Sequence, residues 1–139
     1  MNVEKISVSI PKELYERLEK YMQSNGISDR SKILQTALRD FLDENEKDQT
    51  YVIGIVNLVY DYASTDKVTT IQHEYEDKII SVLHLHKGEK CVEAIAVKGM
   101  KSEIVDLVSK LTSVKGVSKV KLIVSEVQDN FHVQDKHQP

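Results

Sequence analysis

The sequence predicts an α+β protein made of two small domains, and three observations carry that expectation. Residues 4–10 alternate with a period of two, and residues 11–43 change to the helical period. Glu44–Thr50 is a polar, charged break, and after it the apolar pattern is of a different kind. A length of 139 residues permits one ordinary domain or two small ones, so the change of pattern decides.

Hydrophobic residues make up 40% and charged residues 29%, with only 5 Gly and 2 Pro, which excludes a disordered chain. The longest mostly apolar run, Tyr51–Tyr60, is too short to span a bilayer, and Glu4 and Lys5 interrupt any apolar signal core at the start. The expectation is a cytoplasmic protein with no membrane partner. Its one cysteine, Cys91, cannot form an internal disulfide, which leaves a buried apolar residue, a reactive thiol or a metal ligand. The net charge of −3 argues against coating nucleic acid by bulk electrostatics.

Taken in order, Glu4–Ile10 puts Ile6, Val8 and Ile10 on one face of a strand and Lys5, Ser7 and Ser9 on the other. Pro11 suits a helix start, and the helix that follows stripes Leu14, Leu18, Tyr21 and Met22 before Asn25-Gly26 stops it. A second helix begins after Asp29, a suitable N-cap, and runs to about Asp43 with Ile33, Leu34, Ala37, Leu38, Phe41 and Leu42 as its stripe. About 45 residues cannot bury these stripes alone, so this first domain, residues 1–45, is expected to be an obligate dimer. Two antiparallel strands would lay Lys5, Ser7 and Ser9 of both copies on one ribbon sized for the major groove. Across residues 3–44 the pattern resembles the ribbon-helix-helix DNA-binding family. The resemblance implies base-edge contacts from Lys5, Ser7 and Ser9 and phosphate contacts from Arg30 and Ser31 at the start of the second helix. Seven Lys/Arg stand against eight Asp/Glu in residues 1–45, so DNA affinity must come from local arrangement and from several copies acting together.

The second domain, residues 51–127, reads strand (51–60), helix (66–76), strand (79–87), strand (90–98), helix (101–112), strand (117–127). This βαββαβ order is that of a ferredoxin-like or ACT-like fold. The polar segment 128–139 is expected to be disordered, with His132 and His137 solvated.

The chemistry concentrates in His84-Leu85-His86-Lys87-Gly88-Glu89-Lys90-Cys91. Gly88-Glu89 fits a two-residue type II′ turn, which pairs Lys87 with Lys90 and His86 with Cys91. Opposed residues share a face with Cβ atoms about 4.5–5.5 Å apart, and His84 lies on that face too. Two imidazoles and a thiol are therefore expected to converge. Both faces of this hairpin are apolar, and the fold's helices cover only one; the expectation is that the His/Cys face packs on another subunit. His73 sits roughly 200° around its helix from Ile71, pointing away from the core and toward a neighbour. A lone strand cysteine is usually core and a His-X-His pair often a surface accident, so the shared register is what raises a metal site above those bland readings. This donor set suits Zn, Cu, Ni or Co.

Gln72-His73, His84-Leu85-His86, Cys91-Val92-Glu93 and Val97-Lys98-Gly99, behind a ribbon-helix-helix pattern, resemble the nickel-responsive regulators of the NikR type over residues 3–127. The resemblance implies a homotetramer, a dimer of dimers, with His84, His86 and Cys91 of one subunit and His73 of another binding one Ni(II) per subunit in a plane. Nickel would promote binding to double-stranded operator DNA, as in a metal-dependent repressor. Two departures stand out. The His86–Cys91 loop is one residue shorter than the family's usual hairpin, and Lys32 and Thr36 occupy the positions where the family has the carboxylates of an interface cation site, which is not carried over. An enzyme is not expected, because the sequence has no Ser-His-Asp set, phosphate loop or His-Glu-x-x-His helix. The alternative is a ribbon-helix-helix regulator that senses a small molecule such as an amino acid through the ACT-like domain, without metal.

Overall fold

The structure is a computed structural model that describes residues 2–128. Of the tail expected to be disordered at 128–139, Gln128 instead ends the last strand, paired with Tyr51, and residues 129–139, with His132 and His137, lie outside the described residues. The chain forms two compact units that divide between Arg39 and Asp40.

In the first unit, α1 (Lys12–Ser24) starts after Pro11, whose carbonyl accepts the N–H groups of Leu14 and Tyr15, each at 3.1 Å. Its end is a paired C-terminal cap. Ile27 N–H reaches back to the Met22 carbonyl at 2.9 Å and Gly26 N–H to Gln23 at 3.4 Å, a closure that needs the positive φ of 63° that Gly26 supplies. The second helix, α2 (Arg30–Asn45), which crosses the division between the units, starts where Asp29 accepts the Lys32 N–H at 3.0 Å. The strand expected at residues 4–10 is absent in the single chain, which has no regular structure from Asn2 to Pro11. A strand exists only through ladder hydrogen bonds, and the sequence supplies none of its own partners for this segment. Ile6, Val8, Leu14, Leu34, Leu38 and Phe41 all stay exposed.

The second unit has the βαββαβ order: β1 (Tyr51–Asp61), α3 (Thr65–Glu74), β2 (Ile79–Lys87), β3 (Lys90–Met100), α4 (Lys101–Thr112) and β4 (Val117–Gln128), with short 3-10 turns at Tyr62–Ser64 and Glu76–Lys78. Every strand pairing is antiparallel, in the order β2-β3-β1-β4, so β2 and β4 are the edges. Val52, Val56, Leu58, Tyr60, Cys91, Ile95, Val97 and Leu122 from one sheet face meet Val68 of α3 and Ile104, Leu107 and Leu111 of α4 in a closed core. The stretch read from sequence as a polar linker is docked here. The Thr50 and Asp48 carbonyls accept the Lys101 and Ser102 N–H groups at 2.8 and 3.1 Å, satisfying donors that the first turn of α4 cannot bond itself. The buried Lys101 ammonium in turn reaches the Leu42 carbonyl at 3.2 Å, near the end of α2.

Candidate metal centre

The β2–β3 hairpin is built as its turn dictates. Gly88 has φ 63° and Glu89 does not have a positive φ, the combination of a type II′ turn. The register that follows pairs Lys87 with Lys90, His86 with Cys91 and His84 with Glu93.

The direction in which this face looks reverses the expectation from sequence. Cys91, Glu93, Ile95 and Val97 are buried beneath the chain's own α3 and α4, and the opposite face is the bare one, with Leu83 61% and Leu85 58% exposed beside Val92, Ile55 and Ile123. Alternation alone could not choose, because both faces of β1 and β3 carry apolar residues in similar number. Cys91 is fully buried, while His84 and His86 sit on the open edge strand.

Glu93, only 5% exposed, organises the site. Its Oε2 accepts the Tyr60 hydroxyl at 2.7 Å and lies 2.6 Å from His84 Nδ1, while Oε1 accepts the Gln72 amide at 2.6 Å. A buried carboxylate is stable only when so surrounded. Burial first, and then the bond to Glu93, pushes the Tyr60 phenol well above its ordinary range, so it remains a donor. With the carboxylate accepting, the neutral form of His84 has its proton on Nδ1 and its lone pair on Nε2, the arrangement by which outer partners orient metal-binding histidines. His86 Nε2 lies 2.7 Å from the Gly88 carbonyl, which can only accept, so the neutral form of this imidazole has its lone pair on Nδ1.

The expected convergence of His84, His86 and Cys91 is only partly realised. The strands place them in register, but the imidazole centroids are 6.5 Å apart. Among the described residues no three His, Cys, Asp or Glu side chains are disposed to hold a metal ion. In the single chain each imidazole is satisfied by another partner, and nothing draws the rings toward the buried sulfur. The His73 side chain, on α3, is 79% exposed, with Nδ1 3.4 Å from Glu76, and points away from its own core. The donor chemistry nonetheless fits a borderline transition metal: a buried cysteine on β3 and, beside it, two imidazoles each oriented by a hydrogen-bond partner, on an edge strand that another copy can approach.

The residues expected to touch DNA are differently disposed. Lys5, Ser7 and Ser9 are exposed. Arg30 is held by Glu19 and lies 5.5 Å over the Tyr15 ring, and the Glu19 hydrogen bond raises its already high pKa. The Ser31 hydroxyl accepts the Gln35 amide at 3.0 Å. Sequence reasoning overlooked Tyr60 and gave Glu93 no part in the site. The only signal was a carboxylate opposite His84, in a strand whose other inward residues are apolar.

The second unit is a small α+β domain whose β2–β3 hairpin carries two histidines and a cysteine in register. Residues 53–125 match the family described as the NikR C terminal nickel binding domain. A protein of Saccharolobus islandicus is 53% identical over 127 residues, covering 90% of this chain and 96% of its own length. One from Saccharolobus solfataricus is 54% identical over the same shares, and one from Methanococcus maripaludis is 37% identical over 131 residues, covering 89% and 93%. All three are provisionally named nickel-responsive regulators. The chain belongs to the nickel-responsive regulator family, whose members are regulators and not enzymes, and it carries that family's nickel-binding domain. The solved structure of the uncharacterized protein TM1266 from Thermotoga maritima matches with a TM-score of 0.52 at 18% identity, covering 55% of this chain and 99% of that one, and it shares the fold alone.

Proposed function

We propose that this chain is a cytoplasmic, nickel-responsive DNA-binding transcriptional regulator that works as a dimer of dimers. One Ni(II) per subunit is held by His84, His86 and Cys91 of one copy and His73 of another. The observation that carries the reading is the pairing of His86 with Cys91 across a two-residue turn, with His84 oriented by Glu93 on the same edge strand. Three donors come from one hairpin, while His73 projects outward from its own domain and suits a neighbour's site. The uncovered sheet face around Leu83, Leu85 and Ile123 gives subunits an apolar surface on which to associate.

When bound, nickel supplies a cross-link between copies. The protein's share is to fix the imidazole tautomers, to keep water from the thiol and to offer His73 across the interface. Exposed Ile6, Val8 and Ile10, behind an equally exposed Lys5, Ser7 and Ser9, support a ribbon formed by two chains, with one face left for base edges and with Arg30 and Ser31 near phosphates. Two ribbons held by one tetramer would engage two half-sites, the second favoured by effective concentration.

Operator binding measured with and without Ni(II) tests this reading in the wild type, Cys91→Ala and His73→Ala. Cys91→Ala should lose tight nickel binding and the thiolate charge-transfer absorption. His73→Ala should retain weak nickel binding but lose the nickel dependence of DNA affinity. Undiminished nickel-stimulated operator binding by His73→Ala would remove the cross-subunit link. A wild type that binds DNA in response to an amino acid and ignores nickel would favour the small-molecule reading.

A further inference from the structure

The segment that leaves β1 grips the tip of the β2–β3 hairpin by three independent contacts. Tyr62 N–H donates to the Glu89 carbonyl at 2.7 Å, and the Lys90 ammonium donates to Asp61 at 2.7 Å. The Tyr62 ring lies flat against the His86 imidazole, with centroids 4.7 Å apart and planes within 10°. The hydrogen bond from His86 Nε2 to Gly88 fixes the ring's rotation at its other edge. The histidine is therefore held on one face by an aromatic ring and at one nitrogen by a backbone carbonyl, although the strand that carries it is exposed along almost its whole length.

Rested on the nickel reading above, this geometry deepens it. We infer that Tyr62 is a positioning residue for His86, and that its stacked ring holds the imidazole in the orientation that presents Nδ1 to the metal. A free histidine on an exposed strand samples several rotamers, and restricting it beforehand removes an ordering cost from binding. Offset-stacked aromatic pairs contribute beyond the area they bury, so a half-exposed Tyr62 suffices. The position of Tyr62 in the chain adds to its effect. It opens the 3-10 turn that runs directly into α3, and α3 carries Gln72, which binds Glu93 and through it His84. One continuous segment, Asp61–Gln72, thus orients both histidines, His86 through its first residues and His84 through its last. The hydroxyl of Tyr62 plays no part in the stacking, so the flat ring is the required feature.

The full-length protein tests this with Tyr62→Phe, which keeps the ring, and Tyr62→Leu, which keeps apolar bulk without a flat face. In the metal-free protein, the His86 ring protons should resonate upfield in the wild type and in Tyr62→Phe, and move to the position of a solvated imidazole in Tyr62→Leu. Nickel affinity, measured by competition with a chelator, should match the wild type in Tyr62→Phe and fall about tenfold or more in Tyr62→Leu, the usual cost of losing a partner that orients a ligand. A thermal midpoint unchanged in Tyr62→Leu would separate positioning from a general loss of structure. Should Tyr62→Leu lower that midpoint, the recovery of both ring resonances and affinity in Tyr62→Phe still decides the matter. Equal nickel affinity in wild type and Tyr62→Leu, or His86 resonances that do not respond to the loss of the ring, would overturn the inference. A wild type that binds no nickel would instead sink the reading on which it rests, and His86→Ala provides the matching control for that outcome.

Discussion

The two units of this chain stand in different relations to their own sequences. In the second, Leu58, Ile95 and Leu107 are 0% exposed, and the sheet and both helices close over them within one chain. In the first, Ile6 and Val8 are 79% and 72% exposed, and although Met22 is buried, Leu14 and Tyr21 of α1 and Leu34 and Leu38 of α2 stay exposed. The helices of the first unit are well formed, with an Asp29 N-cap and a paired C-terminal closure at Gly26–Ile27, so local signals are satisfied where burial is not. Local structure and a completed core are separate achievements. The first unit reaches only the former with one copy.

The sharpest test of that contrast lies in the core that is complete. Leu107→Ala should destabilise the second unit by about 2–5 kcal/mol in urea unfolding, because it removes a fully buried side chain and leaves a cavity. A loss under about 1 kcal/mol would mean that α4 is not packed as described. Next in size, Ile6→Ser should barely alter the unfolding of the second unit, yet weaken pairing of the first by about 1.5–3 kcal/mol per chain if that side chain is buried between two copies. Sedimentation over a concentration series would read the change, and an unaltered association would break the comparison by showing the exposed stripe to be surface. Smaller again is Glu93→Gln, which keeps the shape but weakens the hold on His84. Nickel affinity should fall about 10- to 100-fold, with the fold retained. An isothermal titration indistinguishable from wild type would remove Glu93 from the site.

The same contrast explains what could be read from the amino-acid order. The hairpin register was legible because Gly88 determines it within two residues, and the helix ends were legible because Asp29 and Gly26 act on their immediate neighbours. The face on which Cys91 lies was legible as a set of residues, but which side the helices take was not. Leu83 and Leu85 are as apolar as Val82 and Ile95, and the choice depends on how α3 and α4 return across β1 and β3. The strand at 4–10 was legible as a pattern without being a structure in one chain, since its ladder partners lie outside that chain. Glu93 was legible opposite His84, but its network was hidden for a different reason. Its role depends on Tyr60 and Gln72, which are 33 and 21 residues away and meet it only in the folded core. Long-range polar networks leave almost no periodic trace.

The smallest expected effect concerns where the second unit begins. Asp48 and Thr50 lie in the stretch that reads as a linker, yet the Asp48 carboxylate accepts the Thr50 N–H at 2.9 Å and also the Thr50 hydroxyl, while the backbone carbonyls of both residues cap α4. If this stretch belongs to the folded unit, Asp48→Ala should cost about 1 kcal/mol near neutral pH, the scale of lost side-chain capping and turn hydrogen bonds. The pH dependence gives a second, independent signature. The Thr50 hydroxyl, followed by the Thr50 N–H, holds the Asp48 carboxyl below its ordinary value of 3.8 against the opposing effect of burial. A group whose folded pKa is depressed stabilises the protein above its unfolded pKa, and that contribution is lost as pH falls through the folded value. The difference in stability between wild type and Asp48→Ala should therefore be constant above roughly pH 5 and shrink steadily as the pH drops below 3.8. Asp48→Asn can still accept the Thr50 N–H, so it should lose less than Asp48→Ala and show no such acid decline relative to it. Denaturant melts of the three proteins across that acid range decide the point, because a linker free of the second unit would give three coincident curves at every pH.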